Sequence, residues 1–204
     1  LAGLSSLSSL KLTMNSLQEL PSGFFLGATS SLVPDTLRSI TISSDAVQEL
    51  PPALFVGLTR LYTLNLAMPL EEIPSGLLEG LTRMSYLEFH NARLGELPGG
   101  LLNGLNNLKT FEFTNHQLTT VPEELFDGLS KLLAVDFRSG LIESLPPNLL
   151  SGATRLGALS LKFNQILTLP SAFINSPSLY NLVLAHNQIT ALPADFLRVC
   201  RWAI

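Results

Sequence analysis

Apolar residues recur along this chain in a repeat of about 24 residues. Each repeat opens with apolar side chains at its first, fourth and sixth positions, as in Leu108, Phe111 and Phe113. An aliphatic residue and a proline, such as Val121 and Pro122, stand at positions fourteen and fifteen. So regular a period indicates a solenoid, because no single repeat can bury its apolar face without stacking on its neighbours. The repeats start near residues 7, 37, 61, 84, 108, 132, 156 and 179.

The opening segment of each repeat alternates apolar and polar residues, which is the pattern of a strand with one buried face. The proline turns the chain onto a back arm of loops, 3₁₀ turns or single helical turns. Because that arm is bulkier than the strand, the repeat predicts an α/β solenoid shaped like a horseshoe, with a parallel β-sheet on its concave face. The strands are expected at residues 9–13, 39–43, 63–67, 86–90, 110–114, 134–138, 158–162 and 181–185.

Some repeats depart from this pattern. Six additional residues between Gly27 and Leu37 predict a bulge on the back of the first junction. The third repeat is one residue short around Pro69, so its turn must be rebuilt. An asparagine at position nine would bond the backbone of neighbouring repeats, and its absence from the middle repeats predicts a looser edge there. Position nine holds, in order, Asn15, Asp45, no residue, Ala92, His116, Gly140, Asn164 and Asn187.

A single domain of about eight repeats is predicted over residues 1–204. Both ends fall inside a repeat, since residues 1–4 match the tail of one and residues 196–200 stop within another. Neither end has the polar capping repeat that keeps a solenoid soluble. We therefore expect a fragment of a longer protein, or ends that another chain or domain covers. Core leucines left open at such ends also predict end-to-end self-association.

Composition and charge argue against several functions. A formal net charge of −4 and a pI near 5.3 argue against a nucleic-acid partner, which requires a basic face. The longest apolar runs are only a few residues, so no transmembrane span is predicted. The single cysteine, Cys200, allows no internal disulfide. The three histidines lie in different repeats, and the sequence contains no G-x-S-x-G elbow, no phosphate-binding glycine loop and no H-E-x-x-H motif, so we predict no enzyme, no cofactor and no metal site.

Side chains at positions three, five, seven and eight should face away from the core, where a partner can contact them. Position five places Glu88, Glu112 and Asp136 on consecutive strands, which lie roughly 5 Å apart in a sheet. One interpretation is an acidic centre with a basic flank, suited to a partner that carries cationic groups. The other is a solvated sheet in which Arg138 and Lys162 merely neutralise the carboxylates. The candidate ligand-binding residues are Tyr86, Glu88, His90, Glu112, Thr114, Asp136, Arg138, Lys162 and Phe163.

The whole repeat resembles the leucine-rich repeats of about 24 residues that are typical of extracellular proteins. Its second half, seen at residues 121–129, is similar to the repeats of Toll-family receptor ectodomains and of the variable lymphocyte receptors of jawless fish. The resemblance covers the whole chain but specifies a fold and not a ligand. It implies a recognition module, extracellular or on a cell surface, that binds a protein or a glycan on its concave face. Two alternatives stay open: a structural or assembly role in which the ends stack on like units or a companion domain, and a bacterial or protist surface protein with the same class of repeat.

Overall fold

The computed structural model describes residues 6–13, 17–25, 36–171, 176, 178–194 and 196. The strands in these ranges form one sheet, in which each strand pairs in parallel with the next one along the chain. This sheet confirms the predicted strand positions and the register of the repeats, although the last three strands are shorter than predicted. The strands are β1 Ser9–Thr13, β2 Ser39–Ser43, β3 Thr63–Ala67, β4 Tyr86–His90, β5 Thr110–Thr114, β6 Ala134–Asp136, β7 Ala158–Ser160 and β8 Asn181–Val183.

The inward side chains of successive strands meet in one continuous apolar core. Phe111 on β5 is fully buried, and its ring centroid lies 5.6 to 6.3 Å from those of Phe113, Phe126 and Phe137. Phe126 belongs to the back arm of the same repeat, whereas Phe137 comes from the next repeat. The core therefore crosses repeat boundaries, and stacking between repeats stabilises a fold that no repeat forms alone.

Turns make up the back arm. The third residue after the proline donates its N–H to the proline carbonyl, as from Leu125 to Pro122 at 3.2 Å. None of these turns extends into a helix within the described ranges, so the loop and turn form of the predicted back arm is the one observed. The short third repeat is closed by a tight turn in which the Leu70 N–H donates to the Met68 carbonyl at 2.8 Å. The bulge predicted after Gly27 lies outside the described residues.

The predicted asparagine contacts are present at the seventh and eighth repeats. The Asn164 side chain donates to the Phe137 carbonyl at 2.7 Å and accepts the Ile142 N–H at 3.1 Å. Asn187 makes the equivalent bonds one repeat later, to the backbone of Leu161 and Ile166. Each asparagine thus ties its own turn to the preceding repeat and satisfies backbone groups that would otherwise be buried without partners. Asn15 lies outside the described residues.

His116 takes the place of asparagine in the fifth repeat. Its Nε2 donates to the Phe137 carbonyl and its Nδ1 accepts the Leu118 N–H, both at 3.2 Å. Gly140 makes room for the ring, because any side chain there would overlap it. Burial lowers the pKa of His116 to about 4, which keeps the ring neutral and Nδ1 able to accept. The looser edge predicted for the middle repeats is wrong at this junction, since the imidazole and the glycine together fill the space.

Candidate binding face

The outward side chains of the strands form one surface, which we call the open face. The strand register places Glu88 directly opposite Glu112, and Glu112 directly opposite Asp136. Neighbouring strands lie about 4.8 Å apart, and like charges that face each other across a ladder destabilise a sheet. The row of carboxylates, defined as Glu88, Glu112 and Asp136, is therefore a local cost to folding. It lies where the sequence predicted an acidic centre.

The three carboxylates differ in their partners. Glu88 accepts a hydrogen bond from the Asn65 amide and lies 3.5 Å from His90 Nε2. Asp136 accepts the Arg138 backbone N–H at 3.0 Å and pairs with the Arg138 guanidinium at 3.2 Å. The carboxylate of Glu112, between them, has neither a hydrogen-bond nor an ion-pair partner among the described residues. It is thus the group in the row best placed to accept a cation from a partner.

The surroundings of Glu112 favour its protonated form. Partial burial raises the pKa of this carboxyl, and the charges of Glu88 and Asp136 raise it further, while His90 and Arg138 oppose them. Where folding raises the pKa of a carboxyl, the folded state loses stability as the pH rises through that raised pKa. At neutral pH the ionised Glu112 therefore destabilises the chain, and a cationic ligand would relieve that cost.

His90 connects the acidic row to the neighbouring strand. Its Nδ1 lies 2.6 Å from Thr114 Oγ1 while its Nε2 faces Glu88. Thr114 itself is buried, with 3 % of its surface exposed, although its position in the alternation predicted an outward side chain. Thr114 therefore orients the imidazole and offers little surface to a partner.

Aromatic and small side chains shape the rest of the face. Tyr86 is 38 % exposed and its ring lies 5.5 Å from that of Tyr62, which the sequence reasoning missed because it considered only positions three, five, seven and eight. Beside Glu112, the small side chains of Ala134 and Ala158 line an open hollow of about 220 Å³. The face thus offers a pair of tyrosines on one side of the carboxylates and an open hollow on the other.

Solved structures show the same architecture as this chain. The crystal structure of a TLR13–ssRNA13 complex matches 82 % of the chain at 20 % identity with a TM-score of 0.72. The structure of the Toll–Spatzle complex, a hub of Drosophila development and innate immunity, matches 91 % at 20 % identity with the same TM-score. The chain has the leucine-rich-repeat fold.

This leucine-rich-repeat chain spans 25 % of the TLR13 chain and 29 % of the Toll chain that it matches. At that level of identity the likeness concerns the fold, and it does not carry a ligand with it. No protein-family model and no curated protein matches the sequence.

The basic candidates lie at the edge of the sheet, where the leucine-rich repeats turn. Arg138 is half exposed and paired with Asp136. Lys162 Nζ lies 4.6 Å from the centroid of the Phe163 ring. That ring stacks on His186 with centroids 4.3 Å apart and an interplanar angle of 15°. His186 is a second residue that the sequence reasoning left out of the face, and the signal for it was an aromatic ring at position eight of two consecutive repeats.

The backbone at position eight is left-handed in five consecutive leucine-rich repeats. Apart from glycine, asparagine adopts this conformation most readily, whereas a bulky residue such as Phe163, with a φ of 59°, is strained in it. The other residues with this geometry are Asn91 (63°), Asn115 (56°), Ser139 (62°) and His186 (58°).

The described part of the chain shows neither a metal-binding cluster nor a membrane-spanning helix. Among the residues with a described position, no three histidine, cysteine, aspartate or glutamate side chains converge as a metal site would require. The same part of the chain contains no helix with the length and apolar character of a membrane span.

Proposed function

We propose that this chain is a recognition module, extracellular or on a cell surface, whose open face binds a protein or glycan ligand that carries cationic groups. The observation that supports it is the row of carboxylates on β4, β5 and β6, which includes the unpartnered, half-buried Glu112. Folding alone does not favour three facing carboxylates. A ligand cation would offset the repulsion between the carboxylates, and the relief of this repulsion would contribute to the free energy of binding.

Binding fits this face better than catalysis does. The carboxylates lie on a sheet surface, and the hollow beside them is open, so no described residue seals a reacting group from solvent. Of the two neighbours, Toll is solved with a protein, Spatzle, and TLR13 with ssRNA. For this chain the net charge of −4 and the acidic row would repel phosphates, which favours a protein ligand over RNA.

Removing the three charges tests the proposal. The triple variant Glu88→Gln, Glu112→Gln, Asp136→Asn should stay folded, because each amide oxygen can still accept the hydrogen bonds that the carboxylates accept. Its free energy of unfolding at neutral pH should rise by about 0.5–1 kcal/mol in urea titrations, since two like-charged cross-strand pairs are relieved. Peptides selected on the wild-type chain from a display library of random dodecapeptides serve as ligands. They should associate with the variant about tenfold more slowly at low salt, and wild-type affinity should fall as salt rises.

A matched control exists on the back arm of the fifth repeat. The triple variant Glu123→Gln, Glu124→Gln, Asp127→Asn also removes two glutamate charges and one aspartate charge, but at exposed positions away from the sheet. This control should leave peptide binding unchanged. If binding to the open-face variant is also undiminished, the recognition surface lies elsewhere, and a structural or assembly role becomes the better proposal.

A further inference from the structure

Three exposed apolar side chains, Leu141, Phe163 and Leu167, lie at positions that are polar in the two repeats just before each of them. They are 40, 45 and 50 % exposed. Position ten is Arg93 and Gln117 in the two repeats before Leu141, whereas position eight is asparagine or serine in the three repeats before Phe163. Position twelve, occupied by Leu167, is threonine and glutamate in the two repeats before it. The apolar residues here thus replace the polar ones of the adjoining repeats.

The backbone brings these three side chains to one edge. Residues 140–143 and 163–167 run side by side, with Gly140 N–H donating to the Phe163 carbonyl at 3.0 Å. Further along, the Leu167 N–H donates to the Glu143 carbonyl at 3.3 Å. We call the surface formed by Leu141, Phe163 and Leu167 the apolar edge. It adjoins the ends of β6 and β7, so it is continuous with the open face.

Phe163 is present at a cost to the backbone. Its φ of 59° is the conformation that asparagine supplies two and three repeats earlier. A bulky side chain in this region is an outlier, and strained residues persist where the surroundings or the function require them. The fold itself requires a left-handed residue at position eight, which asparagine provides with less strain. The presence of phenylalanine instead of asparagine at position 163 must therefore be explained by the contacts of its side chain.

Charge complementarity indicates what the edge would touch. The Phe163 ring stacks on His186 with centroids 4.3 Å apart, and Lys162 Nζ lies 4.6 Å from the centroid of the same ring. Two neighbours thus already contact this ring, which makes it a poor platform for a sugar, although 45 % of the residue stays exposed. The Lys162 ammonium has no carboxylate partner within the described ranges and remains available to an anion. An apolar side chain beside a carboxylate, both on a protein segment, suits this edge.

We propose that the apolar edge and Lys162 bind an acidic, apolar segment of a protein partner. This inference rests on the proposed function of the open face and deepens it. Glu112 on β5 and Lys162 beyond β7 are two strands apart, which is about 10 Å. An extended segment covers that distance in about three residues. The partner segment therefore carries a lysine or arginine for the acidic row and, about three residues away, an apolar residue next to a carboxylate.

The substitution Phe163→Asn separates binding from folding. It gives position eight the residue found in the fourth and fifth repeats, so the thermal midpoint should stay the same or rise. The peptides selected from the random dodecapeptide library on the wild-type chain should include sequences with the predicted order of charges. Those peptides should bind the variant at least tenfold more weakly, and Phe163→Tyr should restore binding. Val56→Asn, at an exposed apolar position on the back arm, is the control and should leave binding unchanged.

Each other outcome overturns the inference in a distinguishable way. A fall in the thermal midpoint of Phe163→Asn would assign the ring to the fold. Some peptides could fail to bind the open-face triple variant and still bind Phe163→Asn. That result would support the proposed function of the open face and would show that the apolar edge takes no part in binding. Peptides that bind both variants as well as they bind the wild type would remove both.

Discussion

Replacing Phe111 with alanine should lower the free energy of unfolding by about 3–5 kcal/mol, the usual range for emptying a buried aromatic site. The ring is fully buried and packs against three other phenylalanines from two repeats, so the cavity cannot collapse without moving both repeats. Urea-induced unfolding, followed by circular dichroism, measures the loss.

A control for this loss is Val56→Ala, which shortens an exposed side chain on the back arm and should change stability by about 0.5 kcal/mol or less. A loss of less than about 1 kcal/mol for Phe111→Ala, well below the usual range, would mean that the register of the fifth repeat is wrong. The position matters because Phe111 directly precedes Glu112 on β5, so the register at Phe111 also places the central carboxylate of the acidic row.

Lowering the pH from 6.5 to 4 should reduce the free energy of unfolding by about 3 kcal/mol through His116 alone. This figure follows because each unit by which folding lowers a pKa corresponds to about 1.36 kcal/mol. Burial lowers the pKa from 6.5 to about 4. A histidine of this kind contributes its full stability above pH 6.5, and the contribution is lost as the pH falls towards 4. Protonation also removes the acceptor of the Leu118 N–H. Urea titrations at half-unit pH steps measure the slope.

Two histidine variants make the measurement specific, because carboxylates also titrate at the acid end. His116→Asn, which introduces the residue of the seventh and eighth repeats, should flatten the dependence over this window. His186→Asn, at an exposed position, should keep the wild-type slope. Equal slopes in the wild type and His116→Asn would contradict a buried neutral imidazole at the junction of repeats five and six.

The strands and the core were predictable because their signal is local. A strand such as Thr110–Thr114 has its inward Phe111 and Phe113 two residues apart, and the same spacing recurs every 24 residues or so. Stacking then brings equivalent positions side by side without further information. That is why the sequence alone also predicted that Glu88, Glu112 and Asp136 would share a row. The partners of those carboxylates could not be predicted from it.

Contacts between repeats were decided by shape in three dimensions. Gly140 and His116 lie 24 residues apart, and each breaks the asparagine pattern when read alone. Only their juxtaposition shows that one supplies a ring and the other supplies its space. Thr114 is a second case. The alternation of the strand predicts an outward, exposed side chain, but Thr114 is buried and contacts His90 through its hydroxyl group.

The period, the parallel sheet, the inward apolar positions and the acidic centre of the open face could all be read from the sequence, because each follows from which residue stands at which position of a short repeat. How the edge residues combine depends on the three-dimensional packing of the repeats. The stack of Lys162, Phe163 and His186, and the edge shared by Leu141 and Leu167, depend on side-chain directions set by left-handed turns and by hydrogen bonds between neighbouring repeats. Side-chain orientation at such turns is fixed by the packing of one repeat on the next, which no single repeat encodes.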